Sequence, residues 1–150
     1  MAAWFIGRGG IVAGEKPHGT VGCVALDREG RLAAATSTGG TRGKMLGRVG
    51  DSPIIGAGTW ADGNVAVSCT GIGEAFIRSA VAAQVAFRIR LAGEDVLAAG
   101  KAALQEALAQ GGDGGLIAVD RAGRIATPFT SEGMARAALY PDGRISVEVH

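Results

Sequence analysis

The apolar runs "VGCVALD" and "RLAAATS", separated by Arg28, Glu29 and Gly30, read like a β-hairpin with an alternating face. Successive side chains of a strand point to opposite faces, so the pattern predicts two strands joined by a tight turn. The same pattern returns in "GLIAVDRAGRIATPF" and, more weakly, in "RAALYPDGRISVEV". Short apolar runs at residues 54–60 and 64–69 extend the predicted sheet, and a glycine-rich loop at residues 39–50 precedes them.

The period then changes. Residues 73–91 put Phe76, Ile77, Ala80 and Val81 on one helical face, with Arg78, Gln84 and Arg88 in another sector. A second helix is predicted over residues 94–110, where "GGDGG" ends it. Strands, a helical pair, then strands again predict an α+β architecture, with two helices covering one face of a mainly antiparallel sheet.

A chain of 150 residues suits one folding unit with a real core. Its formal net charge of +1 provides no long-range field to gather nucleic acid or acidic lipid, so neither is expected as a partner. No apolar run approaches the roughly 20 residues of a spanning helix, and no membrane association is expected. The opening "MAAWFIGRGGIVAGEKPHG" lacks a positive first segment, and Gly7, Arg8, Gly9 and Gly10 interrupt its apolar run, which argues against an export signal. The 26 glycines follow no short period and mark turns and close approaches. Cys23 and Cys69 lack metal-type spacing; each lies in an apolar run where a free thiol packs as a small hydrophobe, which points to a reducing, cytoplasmic setting.

Candidate chemistry concentrates where strands end: at Thr20, at Thr36 to Thr38, and in "SCTGIGE" at residues 68–74. Any one threonine is more often a sheet-surface residue. "RVGDSP" at residues 48–53 also reads alone as a turn, with Asp51 capping it and Pro53 preventing helix. Together the clusters carry more. "TGIGE" before a helix offers backbone N–H groups, those of Gly71 and Gly73 among them, to an anion or oxyanion. Arg48 brings the planar fork that grips a carboxylate through two parallel hydrogen bonds. No conventional triad is visible, because His18 lies in a polar linker and His150 is the last residue.

The segments "GTVGCVALD", "AAATSTGG", "GRVGDSP", "GAG", "AVSCTGIGE", "FIR", "GGLIAVD" and "SEGM" resemble, in order and nearly in spacing, the plant-type asparaginases and isoaspartyl peptidases. These are N-terminal nucleophile hydrolases related to glycosylasparaginase, and the resemblance covers about residues 19–134. It implies an αββα sandwich and a precursor that cuts itself between Gly19 and Thr20. The new N-terminal threonine then carries both the nucleophilic hydroxyl and an α-amine base, whose unperturbed pKa is about 7.7–8.0. By similarity Thr38 hydrogen-bonds the nucleophile, and Thr70 with Gly71 forms the oxyanion hole. Arg48 and Asp51 hold the substrate's α-carboxylate and α-amine, Gly73 adds its backbone to the amine site, and Thr36 supports the strand and loop. The implied reaction opens the β-amide of asparagine or of an isoaspartyl peptide without metal or organic cofactor.

Two departures qualify the match. Family precursors carry a long N-terminal subunit that supplies about half of the sandwich, so residues 1–19 read as a residual linker and residues 20–150 as the catalytic (β) subunit. Such a half is expected to form a homo-oligomer or to need the missing N-terminal (α) subunit. The second departure is "TRGKML" after Gly40, where family members read closer to "MTNKLP", a change that bears on substrate choice. Glycosylasparaginase-like activity is the rival within the enzymes, though it usually shows asparagine where this chain has Gly40. A non-catalytic association module is the rival outside them.

Overall fold

The structure, a computed structural model, describes residues 2–7 and 19–149; His18, residues 8–17, Met1 and His150 lie outside the described residues. Two of the expected turns have sequences that differ at one position and share one construction. In "DREGR", Asp27 Oδ1 accepts from the N–H groups of Glu29 and Arg31 at 2.9 and 2.8 Å, and Gly30 adopts φ 79°. In "DRAGR", Asp120 Oδ1 accepts from Ala122 and Arg124 at 2.9 Å each, and Gly123 adopts φ 75°. The aspartate occupies the donors that continued pairing would use, and the glycine supplies the positive φ, so each strand must reverse. The Arg31 backbone N–H, then its guanidinium, hold the Asp27 carboxyl below its usual range.

The strands form two antiparallel sheets. Strands β1 (Ala2–Gly7), β2 (Thr20–Leu26), β3 (Leu32–Thr38), β8 (Ala135–Leu139) and β9 (Ile145–Glu148) make one, in the order β3-β2-β1-β8-β9. Strands β4 (Thr59–Ala61), β5 (Val65–Gly71), β6 (Gly114–Asp120) and β7 (Ile125–Ala126) make the other, in that order. Helices α1 (Gly73–Ser79), α2 (Val81–Phe87) and α3 (Val96–Ala109) pack with the four-stranded sheet, which is thereby the middle of three layers. Its central strands are buried on both faces and read as unbroken apolar runs. Val67, Cys69, Leu116 and Ala118 meet Phe76, Val85 and Leu104 on the helical side, while Ala66, Ile117 and Val119 meet Val24, Met134 and Ala138 between the sheets.

Antiparallel sheets covered by helices agree with the expected α+β class, and the two sheets with one helical layer correspond to three of the four layers of an αββα sandwich. The details differ in three ways. The strands divide between two sheets, because β5 and β6 carry apolar residues on both faces and need a layer on each. Ala2–Gly7, expected as part of a linker, is the central strand of the larger sheet, paired with β2 and β8. Of the run at residues 54–60, only its end joins a strand; Ile54 to Gly58 turn, with the N–H groups of Ala57 and Gly58 both donating to Ile54 O.

The helix expected over residues 73–91 is also broken, at Ala80, which adopts φ 44° and is exposed. Periodicity put Ala80 on the buried face, but the break rotates the following turn. The physical reason lies in the loop before β4. The Ala82 and Ala83 N–H groups donate to the carbonyls of Ala57 and Gly56 at 3.2 and 2.9 Å, so α2 begins afresh against that loop. A π-helical turn, Arg88–Ala92, ends the segment. The second helix starts as expected, with Asp95 Oδ1 accepting from Leu97 and Ala98 N–H.

A left-handed conformation costs a residue with a Cβ about 1–2 kcal/mol, against which glycine's greater unfolded-state freedom offsets part of the gain. Ala80→Gly should therefore stabilise the chain by about 0.5–1 kcal/mol and raise Tm by a few degrees in calorimetry. A lower Tm would show that Ala80 is not strained there.

Candidate active site

Register brings the first two threonines together. β2 and β3 pair so that Thr20 stands opposite Thr38, each at a strand end, with Thr20 Oγ1 3.4 Å from Thr38 Oγ1. The Thr38 hydroxyl donates to Gly19 O at 3.0 Å and accepts from Gly40 N–H at 3.0 Å, so its one proton points at the carbonyl of the peptide bond preceding Thr20. The Thr20 hydroxyl has its own proton directed at Thr38 and is free of other acceptors among the described residues.

The second sheet brings its strand end to the same place. β5 finishes at Thr70 and Gly71, and the cleft between sheets is lined by Gly19, Thr20, Thr38, Gly40, Thr41, Arg48, Gly50, Asp51, Ser52, Thr70, Gly71 and Ile72, with a volume of about 80 Å³. The Cys69 N–H donates to Gly58 O at 2.9 Å on the outer side of β5. Backbone donors of alternate residues leave a strand on the same side, so the Gly71 N–H leaves there too, past the end of β4. Only glycine fits at this position: a Cβ on Gly71 would lie 2.4 Å from Phe76 and 2.6 Å from Asp113 O. The Ile72 N–H is taken by Asp113 O at 3.1 Å, so the expected row of free N–H groups at the helix start is shorter than the sequence suggests.

Arg48 reaches the cleft from the glycine-rich loop, but its fork is already half engaged. Nε and Nη2 donate to the two carboxylate oxygens of Glu74 at 2.9 and 3.0 Å, and this pairing holds the Glu74 carboxyl below its usual range. The other edge of the guanidinium, Nη1 with the second Nη2 proton, faces Gly40 and Gly50 and meets no carboxylate among the described residues. Arg48 therefore keeps a planar pair of donors, on the edge opposite the one that Glu74 fixes. Gly73 lies behind this arginine rather than in the cleft wall, and a Cβ there would come within 3.0 Å of Nη2.

Asp51 is buried, and its Oδ2 has no hydrogen-bond partner. Burial raises its carboxyl above the ordinary value of 3.8, despite the opposing pull of backbone N–H groups and Arg48. An orphaned carboxylate oxygen in a cleft wall is a place for a cation. The cleft thus offers donors to an anion at the Arg48 edge, an acceptor for a cation at Asp51, and the Thr20–Thr38 hydroxyl pair. Among the described residues no group of three or more His, Cys, Asp or Glu is arranged to hold a metal ion.

All the residues expected from the sequence except Gly73 line this one cleft. Ser52 and Glu74 were missed as individual residues. Ser52 sits inside the quoted "GRVGDSP", while nothing in the sequence links Glu74 to an arginine 26 residues earlier.

The profile of the family described as Asparaginase matches residues 8–148. The chain belongs to this family. It is an N-terminal nucleophile hydrolase family, in agreement with the resemblance read from the motifs. An isoaspartyl peptidase of Salmonella typhimurium is 55% identical over 127 residues, which are 83% of this chain and 41% of that protein. A plant-type L-asparaginase of Pyrobaculum calidifontis is 47% identical over 133 residues, 87% of this chain and 44% of the relative. An isoaspartyl peptidase/L-asparaginase of Mus musculus is 48% identical, with 83% and 38% covered. The chain spans about two fifths of the length of these curated relatives.

The buried Asp51 makes a signed prediction. Its folded-state pKa is raised, so the fold favours the neutral carboxyl; the stability this confers is present at low pH and is lost as pH rises from the ordinary value of 3.8 through the raised one. Asp51→Asn, permanently neutral, should melt at least as high as the native chain near pH 7, and this advantage should shrink as pH falls towards 4. Thermal melts across that range check it; an advantage that instead grows on acidification would mean that ionised Asp51 stabilises the fold.

Proposed function

We propose that this chain is the catalytic portion of a threonine amidohydrolase that opens the β-amide of L-asparagine and of isoaspartyl (β-aspartyl) peptides, after cleaving itself between Gly19 and Thr20. The observation that carries the reading is the convergence of the Thr20–Thr38 pair with the Arg48 edge and the orphaned Asp51 oxygen in one small cleft. An α-carboxylate and an α-ammonium on one carbon fit Arg48 and Asp51, and the side chain of such a molecule then extends towards Thr20.

Self-cleavage has a starting geometry. Thr20 Oγ1 attacks the Gly19 carbonyl carbon, and Thr38, which donates to Gly19 O at 3.0 Å, stabilises the negative charge gathering on that oxygen. The C–N bond breaks, the nitrogen takes the hydroxyl proton, and water opens the resulting ester to leave Thr20 with a free α-amine. In turnover that amine takes the proton from Oγ1 as it attacks the substrate's β-carbonyl. Thr70 and the Gly71 N–H stabilise the oxyanion, and one such donor is worth about 2.7–4 kcal/mol. The protonated amine gives its proton to the departing ammonia or peptide amine, and water then releases aspartate from the ester on Thr20. The role of Gly73 is support: its bare Cα leaves room for Arg48. Free Cys23 and Cys69, the latter with its thiol pKa raised by burial, fit a reducing, cytoplasmic setting.

A partner layer belongs to the same reading. On the face of the five-stranded sheet turned away from the core stand Val21, Cys23, Ala25, Leu139, Ile145 and Val147, and Val21, Ile145 and Val147 are 55%, 67% and 67% exposed. In an αββα sandwich this face carries helices. An apolar sheet face of this kind draws either a second copy of the chain or the remaining portion of a longer relative.

Two measurements test the proposal. Intact-mass analysis should find a fragment beginning at Thr20 in the native chain and none in Thr20→Ala, with hydrolysis of asparagine and β-aspartyl dipeptide lost together in the variant; Thr20→Ser should keep some of both. Turnover by Thr20→Ala, with host asparaginase excluded, removes Thr20 from the mechanism. Light scattering over a dilution series should find the isolated chain self-associated, with weak hydrolysis unless the association rebuilds the cleft. A stable monomer at all concentrations with full asparaginase activity would overturn the need for a partner layer.

A further inference from the structure

Behind Thr20, Thr38 and Thr70 lies a second polar layer with no place yet in the chemistry. Gly22, Thr36 and Ser68 each stand two residues along the same strand from Thr20, Thr38 and Thr70, and so on the same strand face. Gly22 pairs with Thr36 just as Thr20 pairs with Thr38. The Thr36 Oγ1 and Ser68 Oγ lie 2.6 Å apart across the gap between sheets, and Ser68 is fully buried. Thr36 donates to Gly58 O at 3.1 Å, the carbonyl that also accepts from Cys69 N–H. That leaves the Ser68 proton for Thr36 Oγ1, with Ala35 O at 3.4 Å beside it, so every proton in the layer has an acceptor.

Buried hydroxyls are costly unless paired, and two apolar groups of the same shape would fill this space at little cost. What the pair adds is direction and spacing. It ties β3 to β5 at a fixed separation, and Gly22 lets β2 close over it: a Cβ there would lie 2.2 Å from Ser68 Oγ. Thr38 and Thr70 are the next residues on the same faces. We infer that the Thr36–Ser68 hydroxyl pair is a positioning device that sets the distance between the Thr20–Thr38 pair and the donors at Thr70 and Gly71. The inference rests on the proposed function, since it is the attack of Thr20 on a carbonyl held by those donors that needs the distance held.

The test uses Thr36→Val and Ser68→Ala, with Thr36→Ser as the conservative control. Expected for both disruptive variants is a loss of about 10–100-fold in kcat per chain that begins at Thr20, with KM within about threefold, and Thr36→Ser within about threefold of native on both. A merely structural role lowers the yield of folded, processed chain but not kcat per processed site. Hydrogen exchange supplies a readout that needs no turnover. Amides of residues 36–40 and 68–71 should exchange at least about tenfold faster in the disruptive variants, while those of α3 stay unchanged. Unchanged exchange at both strand ends, acceleration spread equally over α3, or a kcat per site within about twofold of native overturns the inference. A native chain that neither cleaves itself nor hydrolyses substrate counts against the proposed function alone, and the exchange comparison then decides this inference by itself.

Discussion

The site depends on two β-sheets meeting at a spacing that side chains of ordinary size would prevent. Strand ends from both sheets must converge for Thr20 and Thr38 to face Thr70 and Gly71, and stacked sheets normally sit about 10 Å apart with interdigitated apolar side chains. Deeper in the interface that is what occurs, where Val24, Ile117, Val119 and Met134 pack. At the site end the residues become small or hydroxylic: Gly22, Thr36, Ser68, Thr70, Gly71. Apolar packing fills the far end of the interface, the Thr36–Ser68 pair ties the near end, and the small residues beyond it leave room for the cleft. The gradient along β2, β3 and β5 opens the strand side of the cleft, and loop residues 40–52 wall the other side.

The loop from Arg48 to Gly58 fills the remaining side, and it is anchored on two layers at once. Gly58 O receives Cys69 N–H and the Thr36 hydroxyl from the sheets, while Gly56 O and Ala57 O receive the first N–H groups of α2. Asp51 lies in this segment, buried, with its Oδ2 lacking a partner. The restarted helix is the other half of the arrangement. If α1 ran through Ala80 without a break, the N–H groups of Ala82 and Ala83 would turn inward to their own helix, and the loop carbonyls would lose their donors. A strained alanine at the break is thus a cost of this brace.

Much of this is legible in the sequence, because the signals are local. Aspartate and glycine at fixed offsets in "DREGR" and "DRAGR" specify turns through bonds that span four residues, and the short apolar runs on either side of the first turn identify β2 and β3. What escapes is whatever depends on a distant partner. Ala80 fits the helical period, and only the carbonyls of Gly56 and Ala57 explain why the helix restarts there. The apolar runs of β5 and β6 announce burial on both faces but not which layers do the burying. Ala2–Gly7 reads as a broken apolar segment because its alternation is short, and its role as a strand comes from the open edges of β2 and β8 on either side. For the cleft, the motif resemblance names nearly all the lining residues, whereas the Glu74 clamp on Arg48 and the Thr36–Ser68 pair are three-dimensional facts with no spacing in the chain.

If Arg48 receives a substrate carboxylate, as proposed above, the Glu74 clamp sets how it does so. A free arginine brings substantial side-chain entropy to each encounter, and a carboxylate ligand must overcome it. Glu74 removes that freedom in advance by holding one edge of the guanidinium, so the opposite edge is presented at a fixed angle. The clamp also lowers the net positive charge that a substrate carboxylate meets, which weakens attraction for anions in general. A ligand with a carboxylate alone meets a partly neutralised arginine and a buried Asp51 that repels it. One with an ammonium on the adjacent carbon relieves the Asp51 oxygen at the same moment as it fills the Arg48 edge. On the proposed function, two unfinished ion pairs side by side would favour an amino acid's α-carbon over a simple acid.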